Sequence, residues 1–146
     1  MTDDPCHQVD ILLVEDQPYD AELALRALSG LNLDRNVDVV RDGAQALEFL
    51  FGRCEDGDAD LPRLILLDLK LPKVNGLEVL REIKSDQRTC CIPVIALSSS
   101  QECRDIKECY SLGVNSYVVK PVDFEDFTDT VQQIASYWLT MNQTPA

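Results

Sequence analysis

Consecutive acids at Glu15 and Asp16, a further acid at Asp68, a serine at Ser98 and a lysine at Lys120 are the residues of this sequence best suited to chemistry together. Three carboxylates drawn into one crevice repel, and the pKa of at least one rises unless a cation intervenes. A hard divalent ion relieves that repulsion, and Mg²⁺ suits one or two carboxylates together with waters and a phosphate oxygen. Beside such an ion, Asp68 can attack phosphorus as a nucleophile. Transfer then needs in-line placement and positive charge on the equatorial oxygens. Lys120 supplies part of that charge, and the Ser98 hydroxyl can donate a hydrogen bond. None of these residues says much alone. Glu15-Asp16-Gln17-Pro18 reads equally as a polar loop with a helix N-cap, and Asp68 as a carboxylate capping a turn. Ser98-Ser99-Ser100 reads as a helix cap, and Lys120-Pro121 as a strand exit at which a cis peptide would aim the ammonium.

Their common feature is position: each stands where a run with strand character stops. Val9-Asp10-Ile11-Leu12-Leu13-Val14 is apolar and partly β-branched, fit for a central strand buried on both faces. A helix from about Tyr19 to Ser29 follows, with Leu23, Ala24, Ala27 and Leu28 on one face and Gly30 at its end. Asn36 to Val40 reads as a second strand, and Asp42-Gly43 turns into a helix carrying Ala46, Leu47, Leu50 and Phe51. Gly52 to Pro62 is polar and reads as a surface loop. Leu64 to Leu67 is the next buried strand, ending at Asp68, and a helix follows from about Gly76 to Lys84. Pro93 to Leu97 ends at Ser98; a helix from about Glu102 to Leu112 is closed by Gly113. Ser116 to Val119 ends at Lys120, and a last helix from about Asp123 to Met141 places Phe124, Phe127, Val131, Ile134 and Trp138 on one stripe. Alternation of strand and helix predicts an α/β domain with a parallel sheet, whose strand carboxyl ends share one ligand-binding edge. The separate polar residues are thereby expected to converge.

A chain of 146 residues suits one domain, and its 45% hydrophobic and 27% charged content is that of a globular protein. We expect a polar tail over residues 1–8, the domain over 9–140 and a second polar tail over 141–146. The net charge of −13 argues against nucleic-acid binding. No apolar run reaches the ~20 residues of a membrane span, and the acidic N-terminus does not resemble a signal peptide. Cys6, Cys54, Cys90, Cys91, Cys103 and Cys109 contain no Cys-x-x-Cys pair and His7 is the single histidine, so zinc is disfavoured. Free thiols in a cytoplasmic protein are expected.

Taken in order, Ile11-Leu-Leu-Val-Glu-Asp16, Leu66-Leu-Asp-Leu-Lys-Leu-Pro72 with Gly76, Val94-Ile-Ala-Leu-Ser98 and Tyr117-Val-Val-Lys-Pro121 resemble the receiver domain of two-component response regulators. The resemblance covers about Asp10 to Leu139. It implies a flavodoxin-like, doubly wound sheet of five parallel strands in the order 2-1-3-4-5, with helices on both faces. It makes Asp68 the phosphoacceptor, modified to 4-aspartylphosphate by a sensor histidine kinase. Glu15, Asp16, Asp68 and the Lys70 backbone carbonyl would hold Mg²⁺, for which Mn²⁺ or Ca²⁺ could substitute. Ser98 and Lys120 would contact the phosphoryl group, and Ser98 and Tyr117 would act as the switch pair. Any catalysis would be limited to self-phosphorylation and autodephosphorylation. One departure is Glu15, where the family often has Asp; its longer side chain reaches the metal directly or through water. Asp60 to Ile65, Glu78 to Asp86, Cys91 to Val94 and Ile134 to Leu139 are similar to stand-alone receivers paired with bacterial and cyanobacterial phytochromes. With no effector domain expected, output would come through a protein contact on the fourth helix, fifth strand and fifth helix. Tyr137 and Trp138 either extend that face into a homodimer contact or cap the core. A receiver fold that is never phosphorylated, a flavin-binding flavodoxin-type protein and an aspartyl-nucleophile phosphatase are the competing readings. The acids after the first strand would repel a flavin phosphate, and Lys70 stands where the phosphatase class needs a second Asp.

Overall fold

The computed structural model describes residues 9–33, 36–55 and 61–145. Cys6, His7 and most of the acidic stretch Cys54 to Asp60 lie outside them. Five strands, β1 (Ile11–Val14), β2 (Val37–Val40), β3 (Leu64–Leu67), β4 (Val94–Ser98) and β5 (Ser116–Val119), alternate with α1 (Pro18–Ser29), α2 (Gly43–Glu55), α3 (Gly76–Ser85), α4 (Cys103–Ser111) and α5 (Phe124–Ser136). The sheet runs β2-β1-β3-β4-β5 with every neighbouring pair parallel, as expected. Every residue of the central strands β1, β3 and β4 is buried, while β2 and β5 at the edges are only partly covered. That burial explains why the three central strands lack polar alternation: helices cover both faces.

Alternate residues of each strand feed two cores. Ile11, Leu13, Leu64, Leu66, Ile95 and Leu97 point to one face, where α1 and α5 bring Leu23, Ala27, Leu28, Phe127 and Val131. Leu12, Val14, Ile65, Leu67, Val94 and Ala96 point to the other, against Leu50, Leu80, Ile83 and Cys109 from α2, α3 and α4. Gly30 ends α1 with right-handed φ, so the backbone there does not demand glycine, and an added Cβ would press only on the movable tip of the Gln132 side chain of α5. Gly113 does adopt left-handed φ (99°) and turns the chain from α4 towards β5.

Several expectations need correction. The helix α2 continues through Gly52 to Glu55, so the polar loop begins later than its composition suggests. A Cβ at Gly52 would meet open space, so this glycine marks no close approach or turn. Phe124 of the predicted α5 stripe is exposed at the first helical position. The helix also changes character after Ser136: Tyr137–Met141 forms a π-helical turn in which the Asn142 N–H donates to the Tyr137 carbonyl. Trp138 is partly buried on the α1–α5 core and meets Tyr137 edge-on, with ring centroids 5.2 Å apart. No helix of the described residues is long and apolar enough to cross a membrane. Cys90, Cys91, Cys103 and Cys109 are free thiols.

Candidate phosphoryl and metal site

Register decides what meets at the carboxyl edge of the sheet. Val14 pairs with Val40 on one side and Leu67 on the other, so Glu15 and Asp68 leave neighbouring strands side by side. The ladders run one residue past each strand: Glu15 N–H donates to the Val40 carbonyl (3.0 Å), Asp68 N–H to Val14 (3.0 Å) and Lys120 N–H to Ser98 (2.7 Å). The three residues are thus held as rigidly as the strands themselves. Carboxylate oxygens of Glu15, Asp16 and Asp68 all lie within 4.8 Å of one another.

Lys120 reaches into this cluster from β5. Its Nζ donates to Glu15 Oε1 (2.9 Å), Asp20 Oδ2 (3.0 Å) and Asp68 Oδ2 (3.1 Å). An ammonium has three hydrogens, and here each has a carboxylate. The expected cis peptide is absent, since no described residue has one. The β5 ladder extension already aims the lysine, so no special peptide geometry is required.

Glu15 and Asp68 are 3% and 8% exposed, so their charges are largely removed from water. Burial, then the hydrogen bond and charge of Asp68, push the Glu15 carboxyl up to about 7, even though Lys120 opposes the shift. Burial works against the charge on Lys120. The Glu15 hydrogen bond and the charges of Asp68 and Glu15 outweigh it and raise the lysine above its ordinary value, so the ammonium stays protonated.

The donor set suits a hard divalent cation. Glu15 Oε2 accepts from the Gln17 N–H (3.1 Å) and Asp68 Oδ1 from the Lys70 N–H (3.0 Å), which orients both groups. Asp16 accepts no hydrogen bond and makes no ion pair among the described residues, and it faces a cavity of about 470 Å³ also lined by Lys70 and Ser98. A carboxylate without a partner beside two others is what a cation would bind, and the all-oxygen chemistry excludes a soft metal.

The predicted residues therefore come together. Ser98 is 1% exposed at the end of β4, with its Oγ accepting from the Ser100 N–H (3.2 Å). Tyr117 is half-buried, and its Oη donates to the Ser100 carbonyl (2.9 Å). Asp20 is the participant that sequence reasoning missed. It lies in the first turn of α1, where an acid is ordinarily credited to the helix dipole. Only the fold shows that it faces Lys120, 100 residues away.

Below the site, the β3–α3 loop is fastened to α2. Asp42 accepts the Gln45 N–H at the start of α2 (2.8 Å) and pairs with Lys73 (3.5 Å), whose φ of 67° is left-handed. The Gln45 backbone hydrogen bond leads the causes that hold Asp42 below the usual carboxylate range. A Cβ on Gly43 would collide with the Val74 carbonyl, and one on Gly76 with the backbone of Asp68 and Leu69.

A parallel five-stranded sheet with clustered acids, a hydroxyl and an ammonium at its carboxyl edge is the arrangement expected of a receiver domain. The response regulator receiver domain model matches residues 11–132, and the chain belongs to that family. It is 46% identical over 135 residues to the probable methanogenesis regulatory protein FilR2 of Methanothrix harundinacea, covering 92% of this chain and 86% of the relative. It is 40% identical over 136 residues to the response regulator Rcp1 of Synechocystis, covering 93% and 92%. The structure of the phosphorylated cyanobacterial phytochrome response regulator RcpA superposes with a TM-score of 0.87 at 40% identity, covering 95% of this chain and 99% of that one. A Mn²⁺-bound form of Rcp1 superposes with a TM-score of 0.85 at 40% identity, covering 94% and 99%. The chain is a receiver-domain response regulator of two-component signalling.

Proposed function

We propose that Asp68 is the phosphoacceptor and that Glu15, Asp16, Asp68 and the Lys70 carbonyl form the site for Mg²⁺. The observation that carries this reading is the Asp68 carboxylate held between the Lys120 ammonium and the unpartnered Asp16. One carboxylate oxygen of Asp68 attacks phosphorus, the bond from phosphorus to the donor's histidine nitrogen breaks, and an acyl phosphate forms. Lys120 re-aims one hydrogen from the Asp68 carboxylate to a phosphoryl oxygen and keeps Glu15 and Asp20 as partners. Ser98 donates its hydroxyl hydrogen to another phosphoryl oxygen. Mg²⁺ held there would supply positive charge at the phosphoryl oxygens and neutralise the acids. Glu15, one methylene longer than aspartate, would reach the ion directly or through water. Water attack on phosphorus later breaks the bond to Asp68 and releases phosphate.

The donor is a sensor histidine kinase, and the phytochrome link of RcpA favours a phytochrome kinase. Tyr117 couples the site to a face of α4, β5 and α5, which exposed Tyr137 would extend into a homodimer contact. The domain spans 9–140 and works in the cytoplasm. A net charge of −13 supports protein rather than nucleic-acid partners. Incubation of Asp68→Asn with acetyl phosphate and Mg²⁺ tests the reading on a phosphate-affinity gel. The unaltered chain should shift and the variant should not; equal labelling of both refutes the assignment.

A further inference from the structure

Ser100 has every polar atom engaged, each on a different part of the molecule. Its N–H donates to Ser98 Oγ (3.2 Å), and its carbonyl accepts from Tyr117 Oη (2.9 Å). Its hydroxyl donates to Asp105 Oδ2 (2.5 Å) and accepts from the Glu102 N–H (3.2 Å). Asp105 lies in the first turn of α4, and the N-cap residue Glu102 makes no side-chain cap of its own. The start of α4 is therefore fastened from outside the helix, through one side chain in the β4–α4 loop.

We infer that Ser100 is a positioning residue that couples the hydroxyl of Ser98 to the N-terminus of α4 through Asp105. The inference rests on the phosphoryl reading of Asp68 given above. A serine hydroxyl donating to a phosphoryl oxygen must turn its Oγ towards Asp68. The Ser100 N–H is bonded to that same Oγ, so it either follows or loses its acceptor. When it follows, its hydroxyl pulls Asp105 and the first turn of α4. Room for this movement is present. Ser98, Ser100 and Asp105 line one wall of the 470 Å³ cavity, and Leu71 and Pro72 of the β3–α3 loop line another. Packed interiors resist gradual deformation, so a loop beside an open cavity is where two discrete arrangements can exist. The backbone links to Ser98 and Tyr117 are available to any residue at this position. The link to α4 needs a hydroxyl.

Amide NMR with beryllofluoride and Mg²⁺ as the probe tests this on the full chain. In the unaltered protein, the probe should shift amides both at residues 98–100 and across Cys103–Ser111. Ser100→Ala and Asp105→Ala should keep probe binding and the shifts at 98–100, while the α4 shifts shrink about 3-fold. Ser100→Thr, which retains the hydroxyl, should restore them. Undiminished α4 shifts in both alanine variants would overturn the inference. So would faster α4 hydrogen exchange that is equal with and without the probe, since that marks a simple helix cap. Loss of probe binding in Ser100→Ala overturns it too, placing Ser100 at the phosphoryl group itself. Failure of the unaltered chain to bind the probe overturns the phosphoacceptor reading and this inference with it.

Discussion

Replacing Glu15 by Gln should stabilise the metal-free protein at mildly alkaline pH and flatten its pH dependence. Glu15 is 3% exposed, and burial together with Asp68 moves its carboxyl from 4.5 to about 7. The folded carboxyl therefore holds its proton more tightly than the unfolded one. Between the two pKa values the folded state binds more protons, so this group makes stability fall as pH rises from about 4.5 to about 7. At about 1.36 kcal/mol per pKa unit, the destabilisation is about 1 kcal/mol near pH 5 and about 3 kcal/mol near pH 8. The difference, about 2.5 kcal/mol, belongs to Glu15 and is absent from the glutamine variant, which mimics the protonated form. Urea denaturation in EDTA, followed by Trp138 fluorescence near pH 5 and pH 8, measures it. With a urea slope of about 2 kcal/mol per molar, the unaltered protein should lose about 1 M more in midpoint than the variant across that range. On the proposed Mg²⁺ site, adding the ion near pH 8 should return about 2.7 kcal/mol to the unaltered protein at about 100 times the dissociation constant, because such an ion would bind only the folded state. Identical pH dependence in the two proteins would refute the claim that burial and Asp68 raise the Glu15 carboxyl.

Gly43→Ala should lower stability by about 1–3 kcal/mol in the same assay, because the new Cβ overlaps the Val74 carbonyl and forces the β3–α3 loop off α2. Ile95→Ala, at a fully buried position in the middle of the sheet, should lower it by about 2–5 kcal/mol with the fold retained by circular dichroism. Cys109 is buried, and desolvation followed by the charges of Asp105 and Glu108 pushes its thiol up to about 11. In native protein at neutral pH, iodoacetamide should therefore modify the exposed Cys91 and Cys103 and leave Cys109 unlabelled by mass spectrometry.

Much of the architecture was legible in the chain because burial is written locally. Leu64-Ile65-Leu66-Leu67 and Val94-Ile95-Ala96-Leu97 have no polar member, which only a strand covered on both faces tolerates. Helical spacing in α1 likewise marked the side that packs. The ends of these runs placed Glu15, Asp16, Asp68, Ser98 and Lys120, and an open parallel sheet gathers strand ends on one edge. The end of α2 was not legible in the same way. Gly52 and the polar residues after it read as a break, yet the helix persists to Glu55; a local preference of about 1 kcal/mol is readily overridden by tertiary context.

Which side chains touch was a different matter. Nothing local distinguishes Asp20 as a partner of Lys120 from an acid serving its own helix, or Ser100 as a junction from an ordinary cap. Those contacts join residues up to 100 positions apart. They depend on strand order, register and the approach of α1 to β5. Sequence periodicity records which face of each element is buried. Only the assembled sheet determines which polar atoms from separate elements fall within hydrogen-bond distance, because that distance is set by the packing of all of them together.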